Sequence, residues 1–243
     1  GGVPNIGQSG KFKDAEKDVF VHLKPKDPIS EIYRIIRTRI FLTSTEEHPV
    51  RNLLVTSPGP QEGKTITLCN IGIAIAQNSK RVLLVDADMR KPRLHEAFGK
   101  ENENGLSSVL SGQASFDQVV RQTGVDNVSF ISGGIIPPNP SELLAGHRMA
   151  EFVATAREKF DFVLFDSPPV GILTDAVVIS GLIDGVLMVV ESGKTSKRIL
   201  SRIHQLFDHA HAKVLGIVLN KMPVNSRSYY YSSYYYGKKK PSK

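Results

Sequence analysis

The stretch Asn52-Leu-Leu-Val-Thr-Ser-Pro-Gly-Pro-Gln-Glu-Gly-Lys-Thr65 decides the fold. Its first half, Asn52 to Ser57, is an apolar run too short for a helical period and suited to a buried strand. Its second half ends in Gly63-Lys64-Thr65. Apolar residues then recur at Ile66, Ile71, Ile73, Ile75 and Ala76, the pattern of a helix over about 65–78. Strand, loop and helix in this order make a phosphate-binding loop. The candidate nucleotide-binding residues are Gly59, Pro60, Gln61, Glu62, Gly63, Lys64, Thr65 and Ile66. In such a loop the main-chain N–H groups and the helix N-terminus form a concave anion site. Lys64 is placed to reach the β- and γ-phosphates, and the Thr65 hydroxyl to ligate Mg²⁺. Pro58 stands where the strict pattern has glycine.

Outward from this loop, strands and helices alternate. Arg81–Pro92 contains four consecutive apolar residues, Val82 to Val85, as expected of a strand buried on both faces. Further strands are expected at 128–131, 162–165, 186–190 and 214–219, with helices at 141–159 and 195–210. The alternation predicts an α/β fold with a doubly wound, mainly parallel sheet. Ligand sites in such sheets lie beyond the carboxyl ends of the strands. The loop, Asp86, Asp88 and Asp166 all fall there.

Residues 1–29 show weak periodicity and read as a linker or arm. Residues 30–224 read as one domain, opening on an amphipathic helix over 30–42 with Ser30 as N-cap and Ile32, Ile35, Ile36 and Ile40 as its apolar stripe. From 225 to 243 the chain carries tyrosine, serine and lysine but no aliphatic residue. Such a segment has no core to build and is expected to be a mobile tail.

The chain has 243 residues, 40% hydrophobic, with a formal charge of +7. That length supports one substantial core. Lysines gather near both ends, which suits anionic lipid, nucleic acid or plain solvation. The single cysteine, Cys69, makes no internal disulfide and reads as a small core residue. His204, His209 and His211 lack companion ligands and read as exposed helix residues. No apolar run approaches a membrane span. The start at Gly1-Gly2 rather than Met points to a piece of a longer protein.

Phosphoryl transfer requires the phosphates neutralised, Mg²⁺ held and an acceptor oriented. Val163-Leu-Phe-Asp166 is an apolar strand ending in a carboxylate that can hold Mg²⁺. Asp86-Ala-Asp88 places two carboxylates at a strand end, where they repel each other unless a cation lies close. One suits Mg²⁺ and the other a proton from an incoming hydroxyl. Arg90 suits orientation of this loop, contact with phosphate, or plain solvation. Lys64 is expected to be an exposed charge in the empty site.

Here a resemblance enters. Leu83-Leu-Val-Asp-Ala-Asp-Met-Arg90 resembles the Walker A′ motif of the bacterial protein-tyrosine kinases of capsule and exopolysaccharide synthesis. Thr56–Thr65 resembles their Walker A, and Val163-Leu-Phe-Asp-Ser-Pro-Pro169 their Walker B. Glu31, Arg34 and Arg37 match their oligomerisation motif. Tyr229, Tyr230, Tyr231, Tyr234, Tyr235 and Tyr236 match their autophosphorylated cluster. Gly2-Val-Pro-Asn-Ile-Gly7 resembles the juxtamembrane stretch of single-chain members. The resemblance implies a catalytic set of Lys64, Asp86, Asp88 and Asp166, with Asp86 as candidate base. It implies Mg²⁺ held by Thr65, Asp86, Asp88 and Asp166, ATP as the nucleotide, and Asn220 as a purine contact. Ile66 stands where a second hydroxyl residue is common. The resemblance also implies a ring of copies at the cytoplasmic face of the bacterial plasma membrane. A membrane-spanning activator segment or protein and a cognate tyrosine phosphatase are implied as partners, and no nucleic acid.

Two other readings compete. ATPases that position septa or chromosomes share this loop ancestry and the Asp-x-Asp strand, but carry a second lysine where this chain has Gly59. A nucleotide-binding module whose Tyr/Lys tail adheres to nucleic acid through stacking and phosphate pairing is the other. ATP-dependent phosphotyrosine formation separates all three.

Overall fold

The computed structural model describes residues 2–5 and 17–223. Eight strands are β1 (Gly2–Pro4), β2 (Asn52–Thr56), β3 (Val82–Asp86), β4 (Arg121–Gln122), β5 (Val128–Ile131), β6 (Phe162–Asp166), β7 (Gly185–Glu191) and β8 (Val214–Met222). They form one sheet in the order β1-β8-β7-β2-β6-β3-β5-β4. Every pairing is parallel except β4 with β5.

Successive side chains of a strand point to opposite faces, so a strand covered on both sides is apolar throughout. The central strands show how. Leu53, Val55, Val82, Leu84 and Leu164 enter one core, with helices Phe20–Leu23, Pro28–Leu42 and Lys64–Ala76. Leu54, Leu83, Val85, Val163 and Phe165 enter the other, under helices that include His147–Lys159, Asp175–Ser180 and Lys197–His209. Each fully buried Leu or Phe here contributes about 1.5–3 kcal/mol. The doubly wound architecture is the one the alternation predicts.

Register then aligns the chemistry. Asp86 lies opposite Asp166, and Val55 also opposite Asp166. The P-loop after β2 and both carboxylates therefore leave the sheet at one edge.

The first residues differ from the expectation of a separate arm. Gly2–Pro4 adds an edge strand to β8, and Asn5 N–H donates to the Met222 carbonyl at 3.1 Å. Phe20 and Val21 are buried in the first core, and the Val21 N–H donates to Asn70 Oδ1. The described part of 1–29 is thus continuous with the domain. A three-residue strand and a four-residue helix are too short to show a period. The next helix begins at Pro28, and its N-cap is Asp27, whose side chain accepts the Ile29 N–H; Ser30 Oγ instead donates to the Lys24 carbonyl. Residues 225–243, with the tyrosine cluster, lie outside the described residues. No helix among the described residues is long and apolar enough to cross a membrane.

Candidate active site

The P-loop is shaped by one glycine and one buried acid. Gly63 has φ +90, and a Cβ there would lie 2.1 Å from Asn220 Nδ2, so both conformation and space require glycine. Glu62 is 2% exposed. Its carboxylate accepts the main-chain N–H of Gly59 and of Glu191 and the hydroxyl of Thr195. Asn220 Nδ2 donates to the Glu62 carbonyl at 2.9 Å, and Lys221 Nζ donates to the Gln61 carbonyl at 2.7 Å. The loop is therefore clamped to the ends of β7 and β8. Asn220, expected against the purine, here spends its amide on the loop backbone. Ile66 packs against the first core. Pro60 and Gln61 are exposed on the loop.

Lys64 departs from the exposed charge expected of it. Its side chain is 14% exposed, and Nζ lies 3.2 Å from Asp88 Oδ2 and 3.4 Å from Asp166 Oδ1. Burial alone pulls the ammonium pKa down, but Asp166, Asp88 and Asp86 outweigh it and hold the pKa above the ordinary lysine value. The Thr65 hydroxyl donates to Asp166 Oδ2. Asp166 is pushed above the carboxylate range by burial, while Lys64 and Thr65 pull it back.

The two members of Asp86-Ala-Asp88 have different surroundings. Asp86 is fully buried. Oδ2 accepts the N–H of Arg93 and of Leu94, both at 2.8 Å, and Oδ1 accepts the Asp88 N–H at 3.2 Å. Burial, then the charge of Asp166, pushes its pKa up to about 7. Asp88 instead turns Oδ2 to Lys64. Lys64, Thr65, Asp88 and Asp166 thus meet directly, and Asp86 stands behind them.

These donors fit Mg²⁺. Thr65 Oγ1, Asp88 and Asp166 offer hard oxygens around a spot already favourable to positive charge. Among the described residues no group of three or more His, Cys, Asp or Glu is arranged to hold a metal ion unaided.

Residues 61–217 match a family described as an AAA domain. Over 227 residues the chain is 37% identical to the putative tyrosine-protein kinase CapB of Staphylococcus aureus, spanning 93% of this chain and 98% of that one. The chain belongs to the bacterial tyrosine-protein kinases. The kinase domain of the Escherichia coli tyrosine kinase ETK superposes on this kinase with a TM-score of 0.86 at 28% identity, covering 93% of this chain and 90% of that one. A structure of the chimerical protein CapA2B2 gives 0.83 at 35% identity, covering 92% and 93%. The septum site-determining protein MinD of Pyrococcus horikoshii, with Mg-ADP, shares the fold at a TM-score of 0.60 and 23% identity, covering 70% of each chain.

Glu31, Arg34 and Arg37, expected from the resemblance to serve oligomerisation, engage their own chain in the structure. Arg34 pairs with Glu31 at 3.0 Å and also reaches Gln77 and the Pro25 carbonyl. Arg37 donates to the Ala74 carbonyl and to Asn78. Both arginines thus dock at the C-terminal end of the loop helix, where a cation complements the helix dipole. Cys69 is buried, and His204 is exposed beside Asp208.

Glu62 was expected as a nucleotide-binding loop residue, but its part as a clamp escaped sequence reading, as did Thr195 and Lys221. The carbonyl-clamping lysine follows Asn220 at a strand end, which was the one available signal.

Proposed function

We propose that this kinase transfers the γ-phosphoryl group of ATP to the hydroxyls of Tyr229, Tyr230, Tyr231, Tyr234, Tyr235 and Tyr236 of a neighbouring copy in a ring. The observation that carries the proposal is the meeting of Lys64, Thr65, Asp88 and Asp166 at the strand ends beside the P-loop. Lys64 would leave its carboxylates for the β- and γ-phosphates. Thr65, Asp88 and Asp166 would hold Mg²⁺, which supplies charge neutralisation at the phosphates. Asp86 is the proposed base. Its pKa of about 7 suits proton acceptance near neutral pH. Its Oδ1 carries a single contact, the Asp88 N–H at 3.2 Å, and retains a lone pair for a proton.

By the same resemblance we place the kinase at the cytoplasmic face of the bacterial plasma membrane. There it would respond to a membrane-spanning activator, be reversed by a tyrosine phosphatase, and regulate polysaccharide polymerisation and export. The joining of Gly2–Pro4 to the sheet edge supports a juxtamembrane segment that packs on the kinase itself.

A mixing experiment tests the transfer. A Lys64→Met chain with an intact tail is incubated with ATP, Mg²⁺ and an active chain whose six tail tyrosines are Phe. Phosphotyrosine on the Lys64→Met chain is the expected result. ATP hydrolysis with no phosphotyrosine on either chain would overturn the kinase reading in favour of a positioning-type ATPase.

A further inference from the structure

Arg90 has no part in the transfer as described, yet it closes a polar triangle. Its Nε donates to Asp175 Oδ2 at 2.9 Å, and its Nη2 donates to Ser141 Oγ at 2.8 Å. Ser141 Oγ in turn donates to Asp175 Oδ1 at 2.5 Å. The serine hydroxyl accepts one bond and donates the other, so all three groups are satisfied at once. The Asp175 side chain is 2% exposed. A carboxylate so deep is costly unless paired and hydrogen-bonded, and here each of its oxygens has a donor.

The triangle joins three separate segments. Arg90 comes from the turn after β3. Ser141 lies in the first turn of helix Pro140–Ala145, beyond β5, and Asp175 opens helix Asp175–Ser180, beyond β6. The turn is closed by the Lys91 N–H, which donates to the Asp88 carbonyl at 3.2 Å and to Asp88 Oδ1 at 3.1 Å. Arg90 sits inside that turn. Its anchor on two helices therefore fixes the direction in which Asp88 points, and Asp88 Oδ2 meets Lys64 Nζ at 3.2 Å.

We infer that Arg90, Asp175 and Ser141 are positioning residues that hold Asp88 against Lys64 and toward the phosphates. The inference rests on the reading that Asp88 serves the transfer. Asp175 and Ser141 act through the turn and not on the phosphates. Their reach matters because a displacement of about 1 Å in a reacting group lowers rates by about 100-fold. A partial loosening, with two corners of the triangle left, is expected to cost about tenfold.

Initial autophosphorylation rates of the full chain test this, each measured against ATP and against Mg²⁺. The variants are Ser141→Ala, Ser141→Thr, Arg90→Gln, Asp88→Asn and the double variant Arg90→Gln with Asp88→Asn. Ser141→Ala and Arg90→Gln should each lower kcat about tenfold, leave KM for ATP within about twofold, and raise the Mg²⁺ needed for half-maximal rate. Ser141→Thr keeps the hydroxyl and should restore the rate. In the Asp88→Asn background Arg90→Gln should cost less than about twofold, since its effect runs through the missing carboxylate. A full tenfold loss in that background would refute the positioning role. So would wild-type rates and Mg²⁺ dependence for both Arg90→Gln and Ser141→Ala. Should Arg90→Gln fail to fold by circular dichroism, Ser141→Ala with its threonine rescue decides alone. A near-normal rate for Asp88→Asn itself would instead refute the role proposed for Asp88.

Discussion

Replacing Lys64 by Met probes the electrostatics of the site in the absence of nucleotide. An exposed lysine would be lost without effect on the fold. The observed one lies between Asp88 and Asp166, with Asp86 alongside Asp166 in the sheet register. Removing one partner of a buried ion pair costs about 3–5 kcal/mol, because the remaining charge is left uncompensated. Water reaches part of this lysine, and Thr65 still donates to Asp166 after the change. The lower end, about 3 kcal/mol at neutral pH, is therefore expected.

The cost should depend on pH, with a definite sign. Asp86 and Asp166 have pKa values raised in the folded state, Asp86 to about 7. A raised carboxylate favours folding below its unfolded pKa, near 3.9, and that contribution is lost as pH climbs through the folded value. Lys64 lowers both pKa values, so in its absence they rise further and the loss with pH is greater. Lys64 itself, with its pKa raised, stays charged throughout this range. The penalty of Lys64→Met should thus be small near pH 4–5, develop as pH climbs through the raised wild-type values, about 7 for Asp86, and be complete only above the still higher values of the variant. Urea unfolding of both proteins at pH 5 and pH 8 measures it. With a slope of about 2 kcal/mol/M, 3 kcal/mol moves the midpoint by about 1.5 M. Millimolar Mg²⁺ should recover part of the loss at pH 8 by occupying the carboxylates. A midpoint shift equal at both pH values, or none at pH 8, would refute the argument.

Asp86→Asn and Asp88→Asn should each lower the initial autophosphorylation rate by at least about 100-fold, the lower range for losing a general base; near-normal rates for both would make the pair structural. Changing the six tail tyrosines to Phe should remove most autophosphorylation and leave ATP binding intact by calorimetry. Phosphate found by mass spectrometry mainly on Tyr33, which is fully buried, would contradict it. Replacing Glu31, Arg34 and Arg37 by Ala should give monomers by light scattering, as should phosphorylation, which adds about −1.5 to −2 charges per tyrosine. Equal mass for the unmodified, triple-Ala and phosphorylated chains would rule out coupling between assembly and phosphorylation. A melting curve of the triple variant accompanies it, since Arg34 and Arg37 also anchor the loop helix of their own chain.

What could be read from the sequence was what is local. Val82–Asp86 announces itself by consecutive apolar residues, and β5 spans the same four residues as expected, Val128–Ile131. The carboxylates Asp86 and Asp166 follow directly, because each ends such a strand. The expected single helix over 141–159 proves to be two, Pro140–Ala145 and His147–Lys159, with Gly146 between them. Gly146 is extended, with φ −72 and ψ 157, and the buried apolar positions skip from Leu144 to Met149 across it, a five-residue step that breaks the helical period. Short elements such as Leu94–Ala97, Leu106–Leu110 and Phe116–Val119 are too brief to show any period. The second tier of the site was illegible for a different reason. Glu62 meets partners 129 and 133 residues away, and Arg90 meets partners 51 and 85 away. Nothing in the neighbourhood of either residue distinguishes a buried clamp from a solvated charge.

The clamp on the P-loop also bears on why the proposed transfer between copies would require an assembly. Asn220 and Lys221 tie the end of β8 to the loop of the same chain, so the described residues end beside their own nucleotide site. Tyr229 lies eight positions beyond Lys221, eight peptide steps along the chain. Fully extended they span at most about 29 Å, enough to pass over a site this close. Were the residues between them to act as a flexible tether, the effective concentration of the tyrosines at their own site would be about millimolar. A separate copy at micromolar concentration cannot compete with that unless the route within one chain is blocked by geometry. Trans transfer is therefore a claim about direction of approach, not about reach. The acceptor hydroxyl must arrive in line with the γ-phosphate, from the side where Asp88 and Asp86 stand. The described residues instead end just past β8, and β8 and β7 lie on one side of β2 with β6 and β3 on the other. In the ring proposed above, the tail of one copy would be presented to the β3 side of the next. On this argument the assembly supplies orientation as well as proximity, and its loss should slow transfer even at high protein concentration.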